Sequence, residues 1–340
     1  MKSSARPGIV DTLSAGFTIV NKRLWLIIIP VLLDLTLWIG PQISASPLVD
    51  RTISWYAQAA SESPLILAPQ NGSDEKASAE AISNQAKEVL RPLAEVNLLS
   101  GLAWGLPWGL PSLINTVASE PTSFGLSRPV LAIGSGLVLF TSVVGLVLGA
   151  VLITAVYKEA IAHLVRDTSA DRERYLSHLG RNWLRMVGFF LLAIGALMFI
   201  GLPFALVVGL SGFLSSTLAS LLSGLGGAAI LWLMLYLFFV SDAIFVGDAS
   251  VLGAIGQSFT LVRRNFWSSL GLFIIMNVIL QGTPLAWGLI TTNPAGVAIA
   301  ILGNAYIATG LAAASMVFYR ERFLPLKRGE QTQTTQSSPL

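Results

Sequence analysis

The sequence contains no cysteine, only two histidines and only 11% charged residues in 340 positions. The absence of cysteine excludes disulfides, thiolate metal centres and cysteine nucleophiles. Because a soluble domain carries about 25% charged residues, the scarcity of charge argues against an ordinary soluble fold. The chain is instead rich in apolar residues, at 54%, and its mean hydropathy is +0.70. This composition predicts an integral membrane protein with several spanning segments.

Residues 251–267 repeat residues 9–25 with a shift of 242 positions. In both copies an apolar stripe at helical spacing is followed by basic residues, a tryptophan and a long apolar run. This order is typical of an amphipathic helix that lies in the membrane interface and turns into a spanning helix, an arrangement that we call an elbow. The two stripes are Leu13, Phe17, Val20 and Leu24, and Ile255, Phe259, Val262 and Phe266. The predicted elbow residues are Phe17, Lys22, Arg23, Trp25, Phe259, Arg263, Arg264 and Trp267.

Six apolar runs are predicted to cross a bilayer, which takes about 20 residues. They lie at 24–44, 130–157, 183–210, 225–246, 268–290 and 295–319. The first run follows a polar and amphipathic lead and contains Asp34, so it is interpreted as a spanning helix, kinked at Pro30, and not as a cleaved signal peptide. The predicted fold is all-α and polytopic, with six transmembrane helices, two interfacial elbow helices and a helical cap outside the membrane.

Residues 45–129 are more polar than the rest and form the predicted cap. Apolar periodicity predicts an amphipathic helix over 76–99. The unit Trp-Gly-Leu-Pro then occurs twice, beginning at Trp104 and at Trp108. Because glycine and proline at this density disfavour a straight helix, residues 98–118 are interpreted as interfacial or re-entrant, with both tryptophans contacting lipid headgroups outside. An extra spanning segment is the alternative.

Basic residues are distributed unevenly between the two sides that six spans define. Sixteen of the 21 Lys and Arg lie on the side of the termini, and the other five share residues 45–129 with eight acidic residues. The positive-inside rule therefore places both termini in the cytoplasm and residues 45–129 outside, in a plasma membrane. The predicted organisation is a first helix within 1–44, the cap at 45–129, a five-helix transmembrane domain at 130–322 with a cytoplasmic loop at 158–185 and an elbow at 249–267, and a disordered cytoplasmic tail at 323–340.

Asp34 is the one acidic residue in the middle of a predicted span. A charge at that depth costs about 2.5–3.5 kcal/mol on insertion scales, so the side chain should face other helices or a wet cavity. Asp34 and Asn277 lie at similar distances beyond the two elbow tryptophans, and equal elbow depths would bring them to one level. With Gln281 and Asn304 they could form a polar site for a proton or an ion in a transporter. The alternative is a hydrogen-bonded carboxyl that fixes helix packing.

Candidate catalytic groups are few, and no P-loop, dinucleotide fingerprint or nucleophile elbow occurs in a fitting context. Asp242 and Asp248 flank the end of the fourth span and are predicted to pair with arginines of the second elbow. A lipid-modifying enzyme would need them to converge with His163 or His178 in one pocket. Glu159 stands four residues before His163, but no further ligand follows at a metal-site spacing, so no metal or other cofactor is predicted.

Residues 241–267 resemble the membrane domain that is fused to some bacterial glycerophosphoryl diester phosphodiesterases and that also occurs in related uncharacterised bacterial membrane proteins. Those domains have a span, an Asp-containing segment, an amphipathic helix with Ala and Ser, an Arg-Asn-Phe-Trp sequence and another span. The corresponding residues here are Asp248, Ala254, Ser258, Leu261, Arg264, Asn265 and Trp267. The clear match covers roughly 225–322 and the copy at 9–25, and the soluble enzyme domain is missing. The resemblance therefore implies the membrane module alone.

Interfacial surface is abundant in the sequence, whereas catalytic constellations are not. The leading interpretation is a non-enzymatic membrane scaffold or accessory subunit that engages membrane lipid or a partner membrane protein. Gly145 and Gly149 offer a small-residue surface for a helix contact within the chain or in a homodimer. The alternatives are a transporter or channel component with its polar site around Asp34, and a membrane-embedded lipid-modifying enzyme. No nucleic-acid partner is expected, because the basic residues follow the topology.

Overall fold

The structure, a computed structural model, describes residues 7–62, 84, 87–92, 94, 96–103, 109–114, 128–166 and 172–336. Helices dominate these residues. The first helices are α1 (Ile9–Lys22), α2 (Ile28–Ile39) and α3 (Ser46–Glu62), and residues 87–92 are also helical. The remaining helices are α4 (Gly136–Arg166), α5 (Arg172–Ala196), α6 (Leu202–Leu214), α7 (Ser216–Leu237), α8 (Val240–Phe245), α9 (Val251–Arg264), α10 (Phe266–Gly288) and α11 (Pro294–Gln336).

Five helical segments of the described residues are long and apolar enough to cross a membrane. They are Gly136–Arg166, Tyr175–Leu214, Ser216–Phe245, Phe266–Gly288 and Pro294–Pro325, and they fit an all-α membrane protein. The first predicted span is shorter, because a 3₁₀ turn at Leu24–Ile27 and then α2 end before Gly40 and Pro41. At the usual rise per residue of 3₁₀ and α-helices, the segment Leu24–Ile39 is about 26 Å long, which is less than the thickness of the hydrocarbon core, about 30 Å. A sixth crossing therefore stays a prediction.

The first turn of α2 contains Pro30. The 3₁₀ turn at Leu24–Ile27 continues directly into α2, and Pro30 has no N–H to donate to a carbonyl of that turn. A kink at Pro30 stays a prediction.

The sequence repeat is also a repeat of structure. The helices α1 and α9 begin and end at equivalent positions, with N-caps at Gly8 and Ser250 and C-caps at Arg23 and Asn265. The C-cap backbones are alike, with φ −143° and ψ 64° at Arg23 and φ −130° and ψ 41° at Asn265. In both copies the next residue begins another helical segment, so the chain turns the same corner twice.

The buried face of each repeated helix is centred beside the predicted apolar stripe. The buried residues are Thr12, Gly16 and Val20 in α1, and Ala254, Ser258, Leu261 and Val262 in α9. Three pairs of these residues are related by the same shift of 242. Small side chains at the centre allow the two backbones of a helix pair to approach closely, and the larger apolar residues then pack on the flanks.

α1 lies along α11. A Cβ atom added to Gly16 would lie 2.5 Å from the amide nitrogen of Ala314, so only glycine fits at this crossing. The ring of Phe17 covers Gly310, and its centroid lies 5.6 Å from that of Tyr306. A Cβ at Gly145 or Gly149 would instead meet nothing within 4 Å, so the predicted small-residue contact within the chain is wrong for this pair.

A short parallel ladder joins the first part of the chain to the segment before α4. The ladder adds two strands to the predicted all-α fold. Strand β1 (Gln42–Ser44) pairs with β2 (Val130–Ala132), with Gln42 opposite Val130. Asn97 supports β1, because its side-chain oxygen accepts a hydrogen bond from the amide of Ile43 at 3.0 Å. The ladder therefore places the end of the first apolar run beside the segment that leads into α4.

Two predicted irregular regions are helical instead. The expected loop at 158–185 belongs largely to α4 and α5, leaving only residues 167–171 outside the described part. The expected disordered tail from 323 is a continuation of α11 as far as Gln336. Both regions are rich in charged or polar residues. In a sequence this composition favours the prediction of a loop, but it also occurs in helices whose polar side chains are solvated or paired.

The core is concentrated at the end of the bundle where α1 and α9 lie, which we call the elbow end. Its largest fully buried side chains include Tyr157, Phe189, Phe239, Phe318 and Tyr319. The rings of Phe239 and Phe318 stack at 5.3 Å between centroids. Towards the opposite end the helices expose apolar side chains such as Phe199 and Phe213.

One spanning segment is broken next to this core. Between α7 and α8 the helix is interrupted at Phe238 and Phe239. The Ser258 hydroxyl of α9 donates to the carbonyl of Tyr236 at 2.6 Å and accepts from the amide of Phe239 at 3.2 Å. The helix α9 therefore satisfies backbone groups that the break releases.

Candidate functional site

A cavity of about 200 Å³ lies between α4, α7, α8, α10 and α11, and Gly109 and Pro111 also line it. Its walls are mainly apolar. They are formed by Met234, Phe238, Phe273, Met276, Leu280, Ala308, Leu311 and Ala312. The lining extends from Phe273 to Gln281 on α10 and from Ala308 to Ser315 on α11. At 1.5 Å per residue these stretches measure about 12 Å and about 10 Å, so the cavity is elongated along the helices.

The elbow end of the cavity carries a buried charged cluster. Lys158 is only 5% exposed, and its Nζ donates a hydrogen bond to the Ser241 hydroxyl at 3.2 Å. The Ser241 hydroxyl in turn donates to Oδ1 of Asp242 at 3.3 Å, and the Ser315 hydroxyl donates to Oδ2. A serine hydroxyl thus links the lysine to the aspartate.

The hydrogen-bonded cluster joins three helices. Lys158 belongs to α4, Ser241 and Asp242 belong to α8, and Ser315 belongs to α11. The break before α8 allows this short helix to present two consecutive polar residues to the interior. Buried charges are costly unless they are paired or hydrogen-bonded, so this cluster is a constraint on how the three helices pack.

The other polar lining residues are Asn277 and Gln281, one turn apart on α10. The Asn277 side-chain amide donates to the carbonyl of Phe273 at 2.8 Å, and its remaining polar groups are available to the cavity. Gln281 is exposed, so the cavity reaches the molecular surface on that side. The cavity therefore runs from a polar opening near Gln281 to a charged end at Lys158.

Asp34 lies in a different environment from Asn277 and Gln281, and it does not line the cavity. It is fully buried, and one carboxylate oxygen accepts from the Ser112 hydroxyl at 2.5 Å. The other oxygen accepts from the amide of Leu113 at 3.0 Å, and the amide of Ile114 lies at 3.4 Å from the first. Asn304, the fourth member of the predicted polar site, is buried in α11 and also lies outside the cavity lining. The four residues therefore do not form one site.

The Asp34 contacts fix α2 to residues 112–114. A carboxylate that accepts several hydrogen bonds from one segment acts as a cap for that segment, and Pro111 in the same segment lines the cavity. This geometry favours the interpretation of Asp34 as a packing residue.

Asp248 lies in the turn between α8 and α9 and binds two arginines of α5. Its carboxylate accepts from Arg185 at 2.5 Å and from Arg181 at 2.8 Å. Partial burial opposes ionisation of Asp248, but the hydrogen bonds and positive charges of these arginines outweigh it and hold the pKa of the carboxyl below its ordinary value. The predicted pairing with arginines of the second elbow is therefore wrong. The cause is that α5 is a helix where a loop was expected, which places its basic residues beside the turn.

Glu159 is buried next to Lys158 in sequence and binds different residues. Its carboxylate accepts from Arg166 and, at 2.8 Å, from the side-chain amide of Asn182. Asn182 also accepts from Arg185 at 3.2 Å. These contacts continue the polar network from the Asp248 turn to α4, outside the cavity.

The residues proposed for an enzyme lie apart. His163 packs against Tyr175 at 6.3 Å between ring centroids, and His178 contacts Arg181 at 3.0 Å. Asp242 is in the cluster at Lys158, whereas Asp248 is at the turn. Within the described residues no three His, Cys, Asp or Glu side chains are grouped to hold a metal ion.

The predicted elbow residues lie mainly on the outer surface of the elbow end. Trp25 is 49% exposed and Trp267 is 80% exposed. Their basic neighbours Lys22, Arg23, Arg263 and Arg264 are also exposed, while Phe17 and Phe259 pack partly against Tyr306 and Tyr236. Trp104 and Trp108 lie outside the described residues.

Comparison with known proteins identifies a family. A family described as a domain of unknown function, DUF7847, matches residues 93–321. This match covers more than half of the chain, so the chain belongs to that family. Every residue that lines the cavity lies within the matched range, whereas Asp34 and α1 precede it. No curated protein and no solved structure matches the chain.

Proposed function

We propose that this member of the DUF7847 family is a non-enzymatic integral membrane protein that binds a membrane lipid or a similar amphiphile in its cavity, as a scaffold or accessory subunit. The cavity carries the proposal. It combines mainly apolar walls with a few convergent polar groups, which is the usual composition of small-molecule binding sites. Of the four candidate catalytic residues, Asp242 lies behind the serines at one end of the cavity, whereas Asp248, His163 and His178 lie away from it, and this separation favours binding over catalysis.

The same proposal includes the position of the chain in the membrane. Both termini and the elbow end are cytoplasmic, residues 45–129 are outside, and the first apolar run is a sixth crossing of the plasma membrane. The distribution of basic residues supports this orientation. The exposed Trp25 and Trp267, each beside exposed basic residues, support an interfacial location of α1 and α9, where lipid or a partner membrane protein would contact them.

Filling the cavity is the direct test. Leu280→Trp places a large ring in the cavity wall, whereas Val278→Trp places the same ring on the exposed face of the same helix. The protein is purified in mild detergent, and the lipids and other amphiphiles that remain bound are identified by native mass spectrometry. We expect a bound species in the wild type and in Val278→Trp and its loss in Leu280→Trp. Equal retention in all three proteins would contradict the proposal.

A transporter component is the second candidate, and the broken segment between α7 and α8 favours it. Interrupted helices that border a cavity are common at the binding sites of transporters, and Phe238 at this break lines the cavity. Because the chain has no cysteine, a single introduced cysteine is its only thiol. The rate at which that thiol reacts with a water-soluble reagent therefore measures the access of water to its position. A transport path predicts that Asn277→Cys reacts with a water-soluble thiol reagent faster than Val278→Cys. A slower reaction at position 277 would oppose a wet path.

A further inference from the structure

We propose that Lys158 makes the elbow end of the cavity a binding site for the anionic head of an amphiphile, a carboxylate or a phosphate. This inference rests on the proposed function and specifies the ligand class. Its basis is the arrangement of Lys158, Ser241, Asp242 and Ser315 around one end of an apolar cavity.

The ammonium group of Lys158 has more N–H donors than it has hydrogen bonds. An ammonium group has three N–H donors. In the part of the chain that the structure describes, Nζ of Lys158 makes one hydrogen bond, to Ser241, and no ion pair within 4 Å. A cation that is only 5% exposed and only partly hydrogen-bonded is costly, and an anionic ligand would complete its coordination.

The aspartate of the cluster is set behind the serines. Both carboxylate oxygens of Asp242 accept serine hydroxyls, and Asp242 is absent from the cavity lining although Lys158, Ser241 and Ser315 belong to it. The carboxylate therefore has hydrogen-bonding partners without direct contact with Nζ. An entering anion would therefore be bound by the remaining N–H donors of the ammonium group, because each serine hydroxyl has one proton and already donates it to Asp242.

The rest of the cavity fits the chain of such a ligand. Beyond the charged end, mainly apolar side chains line about 10 Å of α10, from Phe273 to Leu280, and about 6 Å of α11, from Ala308 to Ala312. At the other end Gln281 is exposed, and the cavity reaches the surface there. A single-chain amphiphile would thus place its head at Lys158 and its chain towards Gln281.

The test is equilibrium binding of radiolabelled decanoate to the full chain in nanodiscs of phosphatidylcholine. Competition with decanol keeps the chain length and removes the charge, and competition with acetate or inorganic phosphate keeps the charge and removes the chain. We expect that unlabelled decanoate competes at least ten times better than decanol, and that acetate and phosphate do not compete at the same concentration. Effective competition by acetate or phosphate would indicate a small-anion site and overturn the amphiphile assignment.

The variants separate the charge from folding. Lys158→Met/Asp242→Asn removes both charges together and avoids an unpaired buried carboxylate, Lys158→Arg keeps the cation, and Asp242→Asn alone keeps the lysine. We expect the double variant to lose at least tenfold in decanoate affinity while its affinity for decanol is unchanged. We expect Lys158→Arg and Asp242→Asn to keep decanoate binding.

The outcomes distinguish this inference from the proposed function. Unchanged decanoate affinity in the double variant would overturn the assignment of the head to Lys158. If Leu280→Trp still abolished binding in that case, amphiphile binding in the cavity would stand. Decanoate binding that neither substitution reduces would overturn both.

Discussion

A Cβ atom added to Gly16 would lie 2.6 Å from the carbonyl oxygen of Gly310, so the backbones of α1 and α11 are in direct contact. We therefore expect Gly16→Ala to lower the stability of the protein by about 1–3 kcal/mol, the usual cost of overpacking a rigid contact. The Tm in detergent, followed by intrinsic tryptophan fluorescence, measures this effect.

The matched control for this glycine is Gly145→Ala on α4, where the added methyl group would meet nothing within 4 Å. We expect the Tm of that variant to stay within the error of the wild type. An unchanged Tm in Gly16→Ala as well would mean that α1 is not held against α11. Loss of a dimer in Gly145→Ala would instead support the homodimer that the open glycine surface of α4 allows.

Asp34 should be needed for folding more than for transport. In Asp34→Asn the amide nitrogen is unable to accept a hydrogen bond, so either the Ser112 hydroxyl or the Leu113 amide loses its acceptor. The loss of a buried hydrogen bond costs about 0.5–1.5 kcal/mol, and the Tm should fall accordingly. Asp50→Asn, on the exposed face of α3, is the control and should leave the Tm unchanged. A stable Asp34→Asn protein with a transport defect would favour the transporter interpretation.

Asp248 should make a small contribution to stability that depends on pH. Its pKa is lowered in the folded protein, so its stabilisation is complete above the unfolded pKa of about 3.9 and is lost as the pH falls through the lower folded pKa. Because its side chain is 42% exposed, solvent screening limits the effect to about 0.5 kcal/mol. Asp248→Asn suits the positive φ of 50° at this position and removes the charge. The Tm difference between wild type and variant should be present at pH 7 and shrink below pH 4, and a constant difference would contradict the role of the charge.

Labelling of single cysteines decides whether the first apolar run crosses the membrane. Lys22 and Ser54 are exposed on either side of this run, and the native chain has no cysteine. A maleimide that does not enter cells should label Ser54→Cys in intact cells and should label Lys22→Cys only after permeabilisation. Gly256→Cys, exposed on the repeated helix α9, should behave like Lys22→Cys. Labelling of Lys22→Cys and Ser54→Cys under the same condition would show that the run does not cross.

The sequence predicts the repeated helices well because their signal is local. An apolar period, basic residues and a tryptophan occur together in each copy, and the helices α1 and α9 begin and end at equivalent positions. The exact packing face was not predictable in the same way. The stripe at Leu13 and Phe17 is more hydrophobic than the buried face. The closest approach of α1 to α11 is nevertheless at Gly16, and it depends on Gly310, which is distant in sequence.

The candidate site was missed for a related reason. Lys158 ends an apolar run and opens a charged stretch, and a single sequence therefore assigns it to a solvated loop. Its burial depends on Ser241, 83 residues away, and on the break before α8 that exposes this serine to the interior. The partners of Asp34 were equally hidden, because backbone amides of residues 113 and 114 bind it and any residue type supplies an amide. The polar character of Asn277 and Gln281 was visible, but they line the same cavity as Lys158 and not a site with Asp34.

The contact between Asp34 and residues 112–114 also sets an order of events during synthesis. The carboxylate is made about 80 residues before its partners, which corresponds to about 4–16 s of translation at 5–20 residues per second. During that interval the short helix α2 has a carboxyl group with no native partner and an apolar length below that of the bilayer core. Its final seating must therefore wait for the segment at 112–114, so the amino-terminal helix reaches its native position later than its place in the chain suggests.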